Sequence, residues 1–238
     1  MKCLLYVCLI TSLTVAGVHA IERTVEASQA SATAQLQKGV SVELASAKSA
    51  EPMPAADNAD AWIITVTADG RLYFGVDPLS PSALQQRMIH TPRSRTQRLY
   101  IKADARVPFA SVQKALDAAS AGEFASPVLL VNQDTPANPG TSISPKGLEI
   151  IMDGVSNSGA RSVVEVNYSA EGSSTTKLDN QEIPFADLHD RLNQLVQNRK
   201  EKTVLLRADG RSAFGDVAHV IDACRSAGVT VVVATPVV

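Results

Sequence analysis

The chain has 238 residues and a formal net charge of −2, and 45% of its residues are hydrophobic. This length allows one large domain or two domains of about 100 residues each. The near-neutral charge argues against nucleic acid as a partner and against an anionic membrane surface, and an aromatic content of 4% argues against base stacking.

The N-terminus has the pattern of an export signal. Lys2 provides a short positive region, an apolar stretch follows over residues 3–15, and residues 18–20 (Val-His-Ala) place small side chains before a cleavage site. We expect residues 1–20 to be a signal peptide, and a retained membrane anchor is the alternative. Residues 21–37 are polar and rich in Ala, Ser and Gln, which predicts a spacer.

The first folded unit is predicted to begin with a half-buried strand. Apolar and polar residues alternate along it, and Val40, Val42 and Leu44 share one face. After a loop rich in Pro, Ala and Asp, residues 62–67 and 71–74 are predicted to form a hairpin around an Asp-Gly turn.

Two helices and two further strands complete this unit. Ser80-Pro81 predicts a helix start, because serine caps free amide groups and proline suits the first helical position. A buried strand at 99–103 leads into a second helix, whose apolar stripe begins at Phe109. A last strand is predicted at 128–132.

The same pattern occurs a second time later in the chain. Residues 102–119 (KADARVPFASVQKALDAA) align with residues 207–224 (RADGRSAFGDVAHVIDAC) at a constant offset. The leading strand recurs as well, with Leu148 and Ile150 in the places of Val40 and Val42. Charged, aromatic and apolar positions stay aligned, as in the pairs Asp104 and Asp209, Arg106 and Arg211, Phe109 and Phe214, and Asp117 and Asp222. A repeat of this length is a domain-sized unit.

The repeat predicts two domains, at 38–132 and 146–238. Residues 133–145 between them are rich in Pro, Asn, Gly, Thr and Ser, which is typical of a linker. Two helices can cover only one face of a small sheet. The predicted fold class is therefore α+β, with two tandem two-layer α/β sandwiches, each a four- or five-stranded mixed sheet with two helices on one face.

No pattern in the chain predicts catalysis, a metal site or a cofactor. The four histidines lack metal-ligand spacing. Residues 154–159 (GVSNSG) look superficially like a nucleophile elbow but do not match G-x-S-x-G. Cys224, the one cysteine after the predicted signal peptide, is expected to be a small buried hydrophobic residue. We therefore predict that the protein is not an enzyme.

Six repeated residues are candidates for binding, and each has a structural alternative. An aspartate after a strand commonly bonds turn amides, so Asp104 and Asp209 either fix the helix entry or contact a ligand. The arginines are either solvated or make a bidentate contact with a carboxylate or phosphate, as in peptidoglycan stem peptides. The phenylalanines are either core residues or anchors for a partner. The candidates are Asp104, Arg106, Phe109, Asp209, Arg211 and Phe214.

The repeated motifs resemble the periplasmic domain of the ExbD/TolR family, in two tandem copies. The best motif is ADARVPF at 103–109, echoed by ADGRSAF at 208–214, and it lies between a KG-led strand with a T-A-D-G hairpin and a V-L-L-V strand. The resemblance implies an interaction module in TonB/Tol-type biopolymer transport driven by the proton-motive force. It also implies ExbB/TolQ-like and TonB/TolA-like partners, and an intramolecular pseudo-dimer of the two copies.

The chain departs from the family at its N-terminus. Members normally carry a transmembrane helix with an aspartate that takes part in proton conduction, whereas residues 2–20 contain no Asp or Glu. We expect this chain to lack that step and to lie in the periplasm, or at the periplasmic face of the inner membrane if the segment is retained.

Other readings stay open beside the transport role. One is a stand-alone periplasmic protein that binds peptidoglycan or another ligand, and another is an unrecognised enzyme that uses a cleft between the copies. The leading strands, with Val40, Val42, Leu44, Leu148 and Ile150, are candidates for pairing with their own domain or with another edge.

Overall fold

The computed structural model describes residues 39–92, 94, 96–132, 144–152, 161–197 and 202–234. The predicted signal peptide, the predicted spacer at 21–37, most of the predicted linker and the loop at 154–159 lie outside the described residues. All described residues of both copies fall within one compact unit. The domain boundaries therefore remain predictions.

The described residues of the first copy form two α-helices, one short 3-10 helix and six strands. Ser80 caps the first α-helix, because its Oγ accepts a hydrogen bond from the backbone N–H of Ala83 at 3.2 Å. In chain order the elements are β1 (Glu51–Pro52), the 3-10 helix (Pro54–Asp57), β2 (Trp62–Val66), β3 (Leu72–Phe74), β4 (Asp77–Leu79), α1 (Pro81–His90), β5 (Leu99–Ala103), α2 (Phe109–Ala121) and β6 (Val128–Val131).

In the second copy, the part of the chain that the structure describes forms two α-helices and seven strands in a similar order. Its elements are β7 (Lys146–Glu149), β8 (Ile151–Met152), β9 (Ser162–Tyr168), β10 (Ser174–Leu178), β11 (Gln181–Ile183), α3 (Phe185–Gln197), β12 (Thr203–Ala208), α4 (Phe214–Ser226) and β13 (Thr230–Val233). The α+β class with mixed sheets is confirmed.

Each sheet combines parallel and antiparallel strands. The first has the order β1-β7-β6-β5-β2-β3-β4, with β2, β5 and β6 parallel, and the second has the order β11-β10-β9-β12-β13-β8, with β9, β12, β13 and β8 parallel. These seven- and six-stranded sheets are larger than the predicted four or five strands. The difference arises because very short strands extend the edges and because β7, from the second copy, pairs with β6 of the first.

The leading segments, residues 39–52 of the first copy and 146–152 of the second, differ from the predicted simple strands. In the first copy, Val40 and Val42 lie outside any strand, and Leu44 makes only an isolated antiparallel bridge with Asp104. In the second copy, Leu148 lies in β7 and pairs with Leu129 of the first copy, whereas Ile150 separates β7 from β8. The strand predicted at the start of the second copy is thus divided between the two sheets, with β7 in the first sheet and β8 in the second.

The core spans both copies. Each helix pair packs on one face of its sheet, and the apolar side chains beneath the helices form one connected buried cluster that includes residues of both copies. Phe109 and Phe214, which begin α2 and α4, are part of this cluster.

The two copies meet through the backbone at the starts of α2 and α4. The residues before these helices, Pro108 and Ala213, form an antiparallel bridge, and neither provides a side-chain cap. The first N–H groups of a helix have no partner within it. Here each copy supplies carbonyl acceptors to the other: Phe109 N to Ser212 O (2.8 Å), Ala110 N to Gly210 O (2.9 Å), Phe214 N to Val107 O (2.9 Å) and Gly215 N to Ala105 O (2.7 Å).

These four hydrogen bonds are related by a local twofold axis, because aligned residues of the repeat exchange the roles of donor and acceptor. The backbones approach closely at this junction. A Cβ atom built on Gly210 would lie 3.0 Å from the Cβ of Ala110, so a glycine gives the required space. The repeated motif therefore forms the junction between its own two copies.

Replacing Ala110 with proline tests this reciprocal capping. At Ala110 the proline ring would take the place of the N–H that donates to Gly210 O, so Ala110→Pro removes this hydrogen bond and also pushes the two backbones apart. We expect the free energy of unfolding, measured by urea denaturation, to fall by about 2–4 kcal/mol. Ala186→Pro is the matched control, because Ala186 is the second residue of α3, as Ala110 is of α2, and is exposed. Equal losses in the two variants would contradict the capping role.

Candidate functional site

The candidate site is the pair of Asp-x-Arg turns that follow β5 and β12. The backbone N–H of Asp104 donates to Val66 O at 2.9 Å, and that of Asp209 donates to Val166 O at 2.7 Å. Each aspartate carboxylate then accepts the backbone N–H two residues later, at 3.1 Å from Arg106 and at 2.9 Å from Arg211. The carboxylates thus fix the direction in which the chain enters α2 and α4.

Each aspartate also binds its own arginine with two parallel hydrogen bonds. Arg106 donates from Nε to Oδ1 and from Nη2 to Oδ2 of Asp104, both at 2.9 Å. Arg211 donates to the equivalent oxygens of Asp209 at 3.1 and 2.7 Å. The arginine hydrogen bonds are the main cause that lowers the pKa of each aspartate to about 2.

The two turns differ in their surroundings. The side chain of Asp104 is 4% exposed and also accepts the backbone N–H of Glu43 at 3.1 Å, whereas the side chain of Asp209 is 27% exposed. The guanidinium of Arg106 lies 3.4 Å from Glu43, and that of Arg211 lies over the ring of Tyr168. Only the first turn therefore holds the leading segment.

The six candidate residues do not form one open binding surface. Phe109 and Phe214 are 4% and 0% exposed and lie in the core. Their side chains are therefore not accessible to a partner protein in this conformation. Arg106 and Arg211 are largely exposed, and the Nε–Nη2 edge of each guanidinium is occupied by its own aspartate.

Hydrogen bonds to Asp222 hold the leading segment of the first copy against the second copy. Asp222 of α4 is 6% exposed, and its carboxylate accepts the backbone N–H of Lys48 at 3.0 Å and that of Ser49 at 2.8 Å, as well as the Ser49 hydroxyl. Burial raises the pKa of Asp222, but these hydrogen bonds outweigh it and leave the pKa below its usual value. Arg225 adds a bond to Glu51 at 2.9 Å.

The sequence did not assign a role to Asp222. Its counterpart Asp117 accepts only from Gln113 among the described residues, at 3.1 Å. The alignment showed that an aspartate recurs at this helical position, but it could not show that only the second copy meets the leading segment. The two aspartates therefore have different functions in the fold.

The described part of the chain shows no metal-binding group of His, Cys, Asp or Glu. Over the same residues, no helix combines the length and hydrophobicity that a membrane crossing needs. Cys224 is completely buried, and burial raises the pKa of its thiol to about 12, so the thiol is unreactive in the folded chain.

We expect removal of the carboxylate charge to lower the free energy of unfolding by different amounts in the two turns. Because the folded-state pKa of Asp104 is depressed, its contribution is complete above its unfolded pKa and is lost as pH falls from about 4 to about 2. We expect Asp104→Asn to lower the free energy of unfolding at pH 7 by about 2 kcal/mol and to flatten this acid dependence. Asp209→Asn, at the more exposed turn, should have the smaller effect in the same denaturation series.

The hydrogen bonds of Asp222 can be tested by substitution, with the same change at Asp117 as the matched control. Asp222→Asn places an amide N–H₂ group near the N–H donors of Lys48 and Ser49, so we expect a loss of about 1–3 kcal/mol. Asp117→Asn should cost less than about 0.5 kcal/mol. The backbone amides of Lys48 and Ser49 should also exchange faster with solvent in the Asp222 variant alone. Unchanged exchange at these amides would contradict their hydrogen bonds to Asp222.

Comparisons with known proteins agree with the repeat. A family model described as biopolymer transport protein ExbD/TolR matches residues 29–134 and again residues 140–236. No curated protein and no solved structure matches the chain significantly. The family works with ExbB/TolQ and TonB/TolA proteins in TonB/Tol-type transport, and its members are not enzymes. Since the two matched segments cover most of the sequence and coincide with the two copies, the chain belongs to the ExbD/TolR family.

Proposed function

We propose that this chain is a non-enzymatic interaction module of a TonB/Tol-type transport system, in the periplasm or at the periplasmic face of the inner membrane. The observation that carries the proposal is the double family match, which coincides with the two copies of the repeat. ExbB/TolQ-like and TonB/TolA-like proteins are the proposed partners.

The junction supports a role in binding other proteins rather than in self-assembly through the repeated motif. The backbone groups at the starts of α2 and α4 are saturated by the other copy within the same chain. An intramolecular pseudo-dimer is therefore the proposed working unit. Its partners would contact surfaces outside the junction, such as exposed helix faces, sheet edges and outer sheet faces.

The leading segment, residues 39–52, is the proposed connection between the N-terminus and the folded body. It contacts Asp104 of the first copy and then Asp222 of the second, and it ends in β1 beside β7. A force applied at the N-terminal side would therefore load both copies. This arrangement suits a module that transmits or senses work done by a motor.

We assign proton passage to a partner subunit. Residues 2–20 contain no Asp or Glu, and a carboxylate within a membrane is the group that family members use for this step. The chain would then contribute recognition and not conduction.

Peptidoglycan binding is the less favoured alternative for the candidate residues. Arg106 and Arg211 would be the groups that recognise a stem-peptide carboxylate, but each already makes a bidentate pair with an aspartate. A stem-peptide carboxylate would either exchange with the aspartate or use the remaining Nη1 group, and an ion pair at such an exposed site gains little free energy.

Cross-linking in intact envelopes tests the proposal. We expect the full chain, carrying a C-terminal tag, to capture ExbB/TolQ-like or TonB-like proteins, identified by mass spectrometry. An unrelated exported protein with the same tag is the control. The mass of the captured chain also reports its N-terminus, and a start at Ile21 would exclude a retained anchor.

Capture of muropeptides alone would contradict the motor link. The double variant Arg106→Gln/Arg211→Gln separates the two readings, because it removes the guanidinium groups and leaves the other surfaces unchanged. Protein capture should persist in this variant, whereas muropeptide capture through these turns should be lost.

A further inference from the structure

The two sheets differ in what covers the face turned away from their helices, here called the outer face. Alternate residues of each strand point to opposite faces. On the first outer face, Met53 and Ala56 from the 3-10 helix region pack against the sheet. The residues beneath them are Ile63, Tyr100, Val128 and Leu130, all at most 2% exposed.

This covering segment, residues 53–57, is held by the neighbouring backbone. The N–H of Met53 donates to Pro145 O at 2.6 Å, and the N–H of Ala56 donates to Met53 O at 2.9 Å. Gly147 of β7 makes room for it, because a Cβ atom there would lie 3.1 Å from Met53 Cγ and 2.3 Å from a methyl group of Val128. The cover is thus fitted to the sheet beneath it.

The cover also carries charge complementary to the sheet. Lys102 lies on the first outer face and is only 2% exposed, and Asp57 is at the end of the covering segment. Burial lowers the pKa of Lys102, and the negative charge of Asp57 opposes this change. The covering segment thus combines an apolar turn with the carboxylate of Asp57, and the face beneath it combines apolar side chains with the ammonium group of Lys102.

The second outer face has the same kind of surface in a more exposed state. Val163, Leu205 and Arg207 occupy the strand positions of Ile63, Tyr100 and Lys102. Val163 and Leu205 are half-buried and Arg207 is exposed. The described part of the second copy contains no counterpart of residues 53–57, and the stretch before β9 (153–161) is shorter than the stretch before β2 (45–61).

Arg207 is the cation on this face that is available to an acidic occupant. In the register of the sheet, Arg207 lies beside Glu165, and Glu165 lies beside Lys177. Arg207 makes no ion pair with any other described residue. Lys177 in turn lies beside Glu182, so the row alternates in sign and has no net charge. Arg207 ends this row, next to the apolar pair Val163 and Leu205.

We propose that the second outer face binds a short segment of a partner protein with the chemistry of the cover: an apolar turn followed by a carboxylate. The apolar part packs on Val163 and Leu205, and the carboxylate pairs with Arg207. This surface is separate from the junction, and its assignment does not depend on which transport partner the chain has.

A peptide that copies the cover is a direct probe. The capped peptide Pro52–Asn58 (PMPAADN) has one carboxylate, that of Asp57. Added to the isotope-labelled full chain, it should cause saturable NMR shifts at Val163, Leu205 and Arg207 and leave Ile63 and Tyr100 unchanged. The Asp57→Asn peptide should bind about two- to fivefold more weakly, as expected for one exposed ion pair.

Variants of the chain separate charge from fold. Arg207→Gln should reduce the affinity for the Asp57-containing peptide by a similar factor and remove the difference between the two peptides. Lys114→Gln is the matched control, because it removes the same charge from the exposed surface of α2. It should leave the affinity unchanged.

Three outcomes would overturn the proposal. They are the absence of shifts on the second outer face, shifts confined to Ile63, Tyr100 and Val128, and concentration-dependent self-association through Val163 and Leu205. The second outcome would mean that the peptide displaces the chain's own cover, and the third would make a second copy of the chain the occupant. Peptide binding without capture of transport proteins would retain the surface and reject the proposed function, and the reverse result would do the opposite.

Discussion

Reciprocal capping of α2 and α4 is the interaction on which the rest of the structure depends. Neither helix has a side-chain cap, so its first amide groups need acceptors from elsewhere. The other copy supplies them, and separating the copies would leave four backbone donors without partners. This requirement fixes the copies against each other at the turns that begin with Asp104 and Asp209. It also explains why one buried cluster runs through both copies.

Once the junction is fixed, the leading segments no longer serve equivalent roles. β7 of the second copy covers the edge of β6 in the first sheet, which protects an otherwise open strand edge. The leading segment of the first copy instead follows Asp104, reaches Asp222 and joins β7 through β1. A duplicated sequence thus gives an asymmetric structure around a symmetric contact.

This asymmetry bears on function. In the first copy the outer face of the sheet is closed by the chain's own residues 53–57, whereas in the second copy the corresponding positions are more exposed. The proposed binding surface assigns the two copies different tasks: the first packs on the chain's own segment, and the second keeps its outer face for a partner protein.

The sequence by itself determined the repeat, the α+β class, the helix start at Ser80 and the burial of Cys224, whereas it left Phe109 and Phe214 as either core residues or anchors. These features follow from local propensity, periodicity and alignment, which act over a few residues or between equivalent positions. Tertiary structure alone decided that Leu148 pairs with the first copy, that Val40 and Val42 lie outside a strand, and that Asp222 binds the leading segment whereas Asp117 does not. Each of these depends on which distant edge or amide group comes within about 3 Å, and that distance is set by packing across the junction.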